Sequence, residues 1–381
     1  MLVTFLAALA IAGPSPQKTT LDNGVMVFAE RMESAPGFTV HLFVSTWGAQ
    51  EQEGQRGWRH LIEHLVAKGR NKDLAAKLEA QGLTLSADTL PDGIRFEIEG
   101  SGGKEAQAIQ ALRDLLAFPA LTQEDVAQEA RIMEQEAAVR SSSAKITAGL
   151  RKQAFAGQSD LMGDAADIAK ATPAALAELH AGMFRPESMS VAVIGDVNAM
   201  KAVEAVTAAL GPLPKQGRPD RAPLNGVPQT QEGFVQGSSG AGRAVVVEST
   251  GRSDTLAVIA AGLAIASEVP GARLVYTPSP HGGVVCLTHP SRTGFEDLDR
   301  LITREGSRLL PTALVSVRLW ADTADSLTRD KARLYGQMLG LEPFFRMQDL
   351  RTRAYEVDHA AALAALQKFH TGKCVRVGGS R

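Results

Sequence analysis

The chain has 381 residues, of which 44% are hydrophobic and 22% charged; those are globular proportions, and at roughly 150 residues per domain the length suits two domains, each able to bury its own core. Lys plus Arg (40) and Asp plus Glu (42) leave a net charge of -2, which gives no electrostatic case for a nucleic-acid partner or an anionic membrane surface. Two cysteines, Cys286 and Cys374, are too few for a disulfide framework or a thiolate zinc cluster, so any metal must be held by histidines and carboxylates.

Met1–Gly13 is apolar and uncharged, too short to span a bilayer as a helix. It reads as the apolar stretch of a signal segment over 1–16, with Ala10, Ala12 and Gly13 as the small residues of a cleavage site, although no basic residues precede it. On that reading an extracytoplasmic location, periplasmic or secreted, is favoured over the cytoplasm; a buried N-terminal segment or a misassigned start is the other reading. No later stretch is predicted to cross a membrane, since the best candidate, Leu256–Ala266, is short and rich in alanine.

From Leu21 the pattern is turn (Leu21–Gly24), strand (Val25–Ala29) and a longer β-rich run (Phe38–Thr46). A helix follows around His60. Helical spacing recurs over Asp73–Gln81 and Ala106–Leu116, Ile94–Glu99 alternates like a half-buried strand, and Gln123–Val139 reads as a long helix entered at Thr122 as N-cap. Pro173–Phe184 is a helix with proline in its first turn, Ser188–Ile194 a strand closed by Gly195, and Met200–Leu210 a helix.

The composition then changes: Gly211–Gly226 holds four prolines and three glycines without a regular pattern, so 211–232 is read as a linker between an N-terminal domain, 17–210, and a C-terminal domain, 233–381. Beyond it, Ala244–Glu248 and Val284–His289 are strands, while Leu298–Leu310, Ser326–Leu339 and Ala360–Phe369 are helical. The stretch Ala174–Gly195 and the stretch Ala361–Gly379 share a helix, a short basic link, an apolar strand and a glycine. Such self-similarity is what a duplicated domain leaves behind, although helix-then-strand units also recur by chance. Cys286 and Cys374 fall in apparent strands of the second domain, as one bridge or as buried thiols.

The chemistry-bearing segment is His60-Leu61-Ile62-Glu63-His64. On a helix, His60 and His64 lie one turn apart on one face, where two imidazoles can take adjacent corners of a tetrahedral zinc site, and Glu63 is placed to take a proton from a water beside the metal. Chance spacing of two histidines and a glutamate explains the five residues as well. A catalytic site needs a third protein ligand. Glu129 and Glu136, seven apart on one face of the predicted long helix, are candidates; a solvated charged face is the ordinary fate of such residues.

Read as H-x-x-E-H, the motif is the inverted zinc-peptidase signature, and its surroundings resemble the pitrilysin, insulinase and mitochondrial processing peptidase family. LDNGVMVFAE is similar to the family's opening strand, GWRHLIEHLVAKG to its metal-binding helix, EARIMEQE to its downstream helix, and the stretches LMGDAADIAKATP to VIGDV and RLYGQMLG to VRVGG to the ends of its two domains. The resemblance implies an α+β fold of two tandem homologous α/β-sandwich domains, each a mostly antiparallel sheet covered by helices, the second without a metal site. It implies Zn2+ as cofactor, bound by His60, His64 and Glu136, with Glu63 as general base and Glu129 supporting the site from behind the ligands.

On that basis the expected function is a zinc-dependent metalloendopeptidase acting on peptides or unfolded polypeptides, which would add as a strand to the sheet edge of the first domain. The alternative is a non-catalytic structural or substrate-presenting subunit of a processing-peptidase-like complex. The family brings an Arg and a Tyr of its second domain over the substrate carbonyl, for which Arg273 and Tyr276 are the nearest candidates; a homodimer, or a heterodimer with a related chain supplying that pair, is expected. Two positions depart from the family pattern: Gly82–Thr89 lacks its Asn-Ala-x-Thr on the edge strand, and Arg59 stands where a small residue precedes the first ligand. Both bear on substrate preference.

Overall fold

The computed structural model describes residues 16–33, 35–46, 51–155, 160–217, 232–236, 238–247, 253–277, 283–341, 347–370 and 375–380. The signal segment apart from Pro16, most of the linker, and Cys374 lie outside them. The first half runs β1 (Gln17–Thr20), β2 (Met26–Arg31), β3 (Phe38–Ser45), α1 (Trp58–Ala67), α2 (Leu74–Ala80), β4 (Leu83–Leu90), β5 (Gly93–Gly100), α3 (Glu105–Leu116), α4 (Gln123–Val139), α5 (Ser142–Ala154), α6 (Ala165–Ile168), α7 (Pro173–Met183), β6 (Met189–Gly195) and α8 (Ala199–Leu210). The second runs β7 (Glu232–Gln236), β8 (Ala241–Val247), α9 (Ser253–Glu268), β9 (Arg273–Thr277), β10 (Gly283–His289), α10 (Arg292–Glu305), α11 (Leu310–Ser326), α12 (Thr328–Leu341), α13 (Met347–Glu356), α14 (His359–His370) and β11 (Val375–Ser380).

The strands form two sheets, ordered β1-β2-β6-β3-β5-β4 and β7-β11-β8-β10-β9. Without β1 the two orders superimpose, and each sheet has one parallel pair at the same place, β2 with β6 and β7 with β11, the rest being antiparallel. The helix-and-strand units noticed in the sequence, α7 with β6 and α14 with β11, occupy equivalent places. The expected architecture of two homologous, mostly antiparallel α/β sandwiches is therefore the fold observed.

Strand β3 is buried along its whole length, because both faces of the first sheet are covered. Val40, Leu42 and Val44 join Leu61, Ile62 and Leu65 of α1 and Ile109 and Leu112 of α3 in one core, while the alternate residues point the other way. What they meet comes from the second half: Ala332, Tyr335 and Leu339 of α12 pack on Met26, Phe28, Ala192 and Ile194. The exchange is mutual, for Ile146, Leu150 and Ala154 of α5 pack on Ala244, Val284, Cys286 and Val377 of the second sheet. Each half thus lends the helix that closes the other's sheet.

The docking of α12 is close and polar. A Cβ at Gly336 would collide with His41 Nδ1, and Ser190 Oγ donates to the Gly336 carbonyl at 2.6 Å. Arg333 grips the buried Glu97 carboxylate with two bonds of 2.5 and 2.7 Å, Lys331 meets Glu30 at 2.6 Å, and Arg329 pairs with Glu99. Burial alone would raise the Glu97 pKa, but the Arg333 hydrogen bonds prevail and hold it below the ordinary carboxylate value.

His41, on β3 between these groups, is fully buried with neither ring nitrogen hydrogen-bonded among the described residues. Burial pushes its pKa from 6.5 down to about 3, Glu97 opposing and Arg95 and Arg333 assisting. The native chain therefore keeps His41 neutral. Above pH 6.5 both states are neutral and stability is unaffected; below it the unfolded chain takes up a proton that the native one refuses, costing about 1.4 kcal/mol per pH unit until about pH 3.

Two outcomes follow from this interface. Gly336→Val should lower the unfolding free energy by about 1–3 kcal/mol or more through overpacking against His41, whereas Gly182→Ala, where a Cβ meets nothing within 4 Å, should stay within about 1 kcal/mol of wild type on the favourable side; urea midpoints compare them. In His41→Leu the plot of unfolding free energy against pH between 6 and 4 should lose about 1.4 kcal/mol per unit of slope, one proton's worth.

Candidate metal centre

Helix α1 is held at its N-terminus before any ligand is reached. Gly57 precedes it at φ +94°, where a side chain would be strained and its Cβ would lie 2.7 Å from Gly163 Cα. The Glu51 carboxylate accepts from the Gly57 and Arg59 amides at 3.0 and 2.8 Å, satisfying two free donors of the first turn, and Trp58 Nε1 donates to the Asp167 carbonyl at 2.8 Å. With Leu61, Ile62, Leu65 and Val66 turned into the core, the face carrying His60, Glu63 and His64 is turned toward α4.

Helix α4 spans Gln123–Val139, the range expected from the sequence, and Thr122 and Asp125 close a reciprocal capping box. Its buried residues are Val126, Glu129 and Met133. That is one narrow stripe at helical spacing, and Glu136 continues it by one step.

The two imidazoles approach edge to face, Nε2 to Nε2 at 3.2 Å. Glu136 Oε2 lies 3.6 Å from His60 Nε2 and 3.5 Å from His64 Nε2. A tetrahedral ion with ligands at 2.0–2.1 Å separates them by about 3.3 Å, so these three atoms have the spacing of one face of such a tetrahedron. The donor set, two neutral-capable imidazoles and one carboxylate, is that of a three-ligand site with a fourth corner free. Glu63 Oε2 stands 3.7 Å from His60 Nε2, beside the triangle.

Electrostatics sort the four groups. Burial, helped by His64 and Arg59, pushes the His60 pKa down to about 3, leaving a neutral imidazole. Burial likewise pushes Glu63 up to about 7, with Asp88 and Glu136 adding to it and His64 and Thr89 opposing. For His64 burial is outweighed by the Glu129 hydrogen bond and by the charges of Glu63 and Glu136, and its pKa is raised. Glu129 is buried, with one oxygen 3.3 Å from His64 Nδ1 and the other 2.5 Å from Lys68 Nζ. Burial would raise its pKa, but His64 and Lys68 overcome that and lower it. With the Glu129 carboxylate as acceptor at Nδ1, the neutral form of His64 has its Nε2 lone pair facing the triangle.

The site opens into a cleft of about 500 Å³ bordered by Glu63, His64, Lys68, Glu136, Leu85 and Ala87. The Glu136 side chain is 47% exposed at its rim. Leu85 and Ala87 belong to β4, the edge strand, which among the described residues pairs only with β5. All five residues picked from the sequence, His60, Glu63, His64, Glu129 and Glu136, converge here.

Arg273 and Tyr276 do not converge. Three apart on β9, they point to opposite faces, Tyr276 packing with Leu274 on the second core and Arg273 lying exposed. Two contributors were not singled out in the sequence. Lys68 was findable, one turn beyond His64 on the same helical face. Thr89, whose Oγ1 lies 3.4 Å from Glu63 Oε2, is brought in by the sheet and carried no local signal.

The family model described as Insulinase (Peptidase family M16) matches residues 26–161, which include both α1 and α4. An uncharacterized zinc protease of Mycobacterium tuberculosis is 26% identical over 236 residues, 60% of this chain and 53% of the relative; the chain thus spans about half the length of the curated relatives it matches. Among solved structures, a protease from Helicobacter pylori superimposes with a TM-score of 0.82 at 16% identity, covering 97% of this chain and 100% of that one. A peptidase M16 inactive domain from Pseudomonas fluorescens superimposes at 0.77 and 17%, covering 97% and 98%. Both share the fold. The segment 26–161 that carries α1 and α4 is thus similar to the insulinase family of peptidases, family M16, and the whole chain shares the fold of solved structures described as a protease and as a peptidase M16 domain.

Proposed function

We propose that this chain is a zinc metalloendopeptidase. One observation carries the reading: three ligand-type atoms, His60 Nε2, His64 Nε2 and Glu136 Oε2, meet at the spacing of a tetrahedral face with a protonatable carboxylate, Glu63, beside them. Zinc held there would polarise a scissile carbonyl and acidify a water.

The remaining work falls to side chains. Glu63, buried and drawn toward neutral pH, accepts a proton from the attacking water and returns it to the leaving amine. Glu129 and Lys68 hold His64 in orientation, so that the ligands need no rearrangement. The unpaired edge of β4 aligns an extended peptide by main-chain hydrogen bonds alongside Leu85 and Ala87. With Arg273 and Tyr276 on opposite faces, the donor to the tetrahedral intermediate comes from a second chain, in a homodimer or a heterodimer with a related protein. The apolar Met1–Gly13 supports export. A non-catalytic subunit is the competing reading, and the Pseudomonas structure described as inactive belongs to the same fold; the retained Glu63 favours catalysis.

With the full chain supplied with zinc, Glu63→Gln should cut hydrolysis of an unstructured peptide by about 10²–10⁴-fold while binding one zinc as wild type does. Zinc retained with undiminished cleavage would remove Glu63 as the base, and a folded, zinc-loaded wild type that cleaves nothing, alone or mixed with a related chain, would leave the non-catalytic role. Glu129→Gln should weaken zinc binding by about 10–100-fold, read by competition with a chromogenic chelator. Stripping the metal should abolish cleavage, and adding zinc back should restore it.

A further inference from the structure

Arg59 precedes the first histidine of the motif, and the residue is buried, 8% exposed. Burying a guanidinium is costly unless its donors are used, and here one is not: Nε has no hydrogen-bond partner among the described residues.

Its used donors all leave the helix. Nη1 donates to Thr46 Oγ1, just past the end of β3, at 3.2 Å and to the carbonyl of Pro91 at 2.9 Å. Pro91 lies in the turn that joins β4 to β5, and the Thr46 amide donates to the Asp92 carbonyl of the same turn at 2.9 Å. The first turn of the helix that carries His60 is therefore tied to the tip of the hairpin that carries the edge strand. Two residues before Pro91, Thr89 Oγ1 approaches Glu63 Oε2 at 3.4 Å; farther along β4, Leu85 and Ala87 wall the cleft. An edge strand has a neighbour on one side only and is the part of a sheet most free to move sideways. The Arg59 contacts oppose that movement where β4 passes the base.

We propose that Arg59 is a positioning residue: by pinning the β4–β5 turn to the first turn of α1, it fixes where a peptide paired with β4 lies relative to Glu63 and the three ligand atoms. The inference rests on the peptidase reading above. It assigns a task to the side chain by which this sequence departs from the pattern of the family it resembles.

The test uses the full chain with zinc, as wild type, Arg59→Met, which keeps length and removes the donors, and Arg59→Lys, which keeps a donor. Three readouts are taken: bound zinc, amide hydrogen exchange across β3, β4 and β5, and kcat/KM for a dodecapeptide long enough to run along β4 and a tetrapeptide that is not. In Arg59→Met zinc stays equimolar, the amides of 83–90 exchange about tenfold faster with those between β3 and β6 unchanged, and the long-to-short ratio of kcat/KM falls about tenfold, as a displacement of an ångström or less entails. Arg59→Lys recovers part of both effects.

Unchanged exchange in β4, loss of zinc, or equal losses on both peptides would each overturn the proposal, the last because a smaller folded fraction lowers both alike. If wild type cleaves neither peptide, alone or mixed with a related chain, the peptidase reading fails on its own, and the exchange of β4 still decides whether Arg59 pins the hairpin.

Discussion

The buried carboxylate of Glu129 is the contact on which the candidate site depends. Helix α4 buries only Val126, Glu129 and Met133, too little apolar surface to fix its rotation against α1. Glu129 supplies what hydrophobic contact does not. Taken out of water it must be paired, and its two oxygens are met by His64 of α1 and by Lys68, one turn on at the helix C-cap. That requirement sets the azimuth of α4, and two turns on, Glu136 is carried to the histidines. The same bond fixes the tautomer of His64. Ligand placement and ligand protonation thus share one cause.

The two halves use the same topology for different ends. Between β8 and β9, where the first half places α1 and α2, the second places α9, whose residues from Leu256 to Ala261 are all buried and none of which could hold a metal. A helix apolar all round belongs inside a fold, and that is where the stretch least unlike a membrane span resides. No described helix is long and apolar enough to cross a membrane. The halves are coupled through α5 and α12, equivalent helices in the duplicated order, so the sheet that carries the site is closed by a segment more than a hundred residues downstream of it. A boundary near 210 separates the chain in sequence, while the layers cross it.

Legibility in the sequence followed the range of the interactions. Helix α4 was readable to the residue because its start is set by Thr122 and Asp125, three apart. The histidines and Glu63 were readable because one turn of α1 brings them together. Arg333 with Glu97, 236 positions apart, is fixed by the exchange of helices and leaves no local trace. Helix α5 has a regular stripe at Ile146, Leu150 and Ala154, but it was passed over because the sheet it serves lies on the far side of the linker. Arg273 and Tyr276, the nearest candidates for the pair over the substrate carbonyl, stand three residues apart on β9, a spacing that turns them to opposite faces.

The edge beside the site suits a transient partner better than a permanent one. Strand β4 keeps only Leu83 fully buried, carries Thr84, Ser86, Asp88 and Thr89, and holds Asp88 to Arg95 of its neighbour at 2.8 Å. Charged and hydroxyl side chains on an edge discourage indiscriminate pairing with other sheets. On the face toward the cleft, Leu85 and Ala87 offer apolar contact next to His64 and Glu136. On the peptidase reading, a strand that pairs with β4 is stabilised by side-chain contact only where it passes the ligands. Main-chain pairing then supplies affinity without sequence preference, as an enzyme acting on unfolded chains requires, and what discrimination there is falls on the residues flanking the bond to be cut.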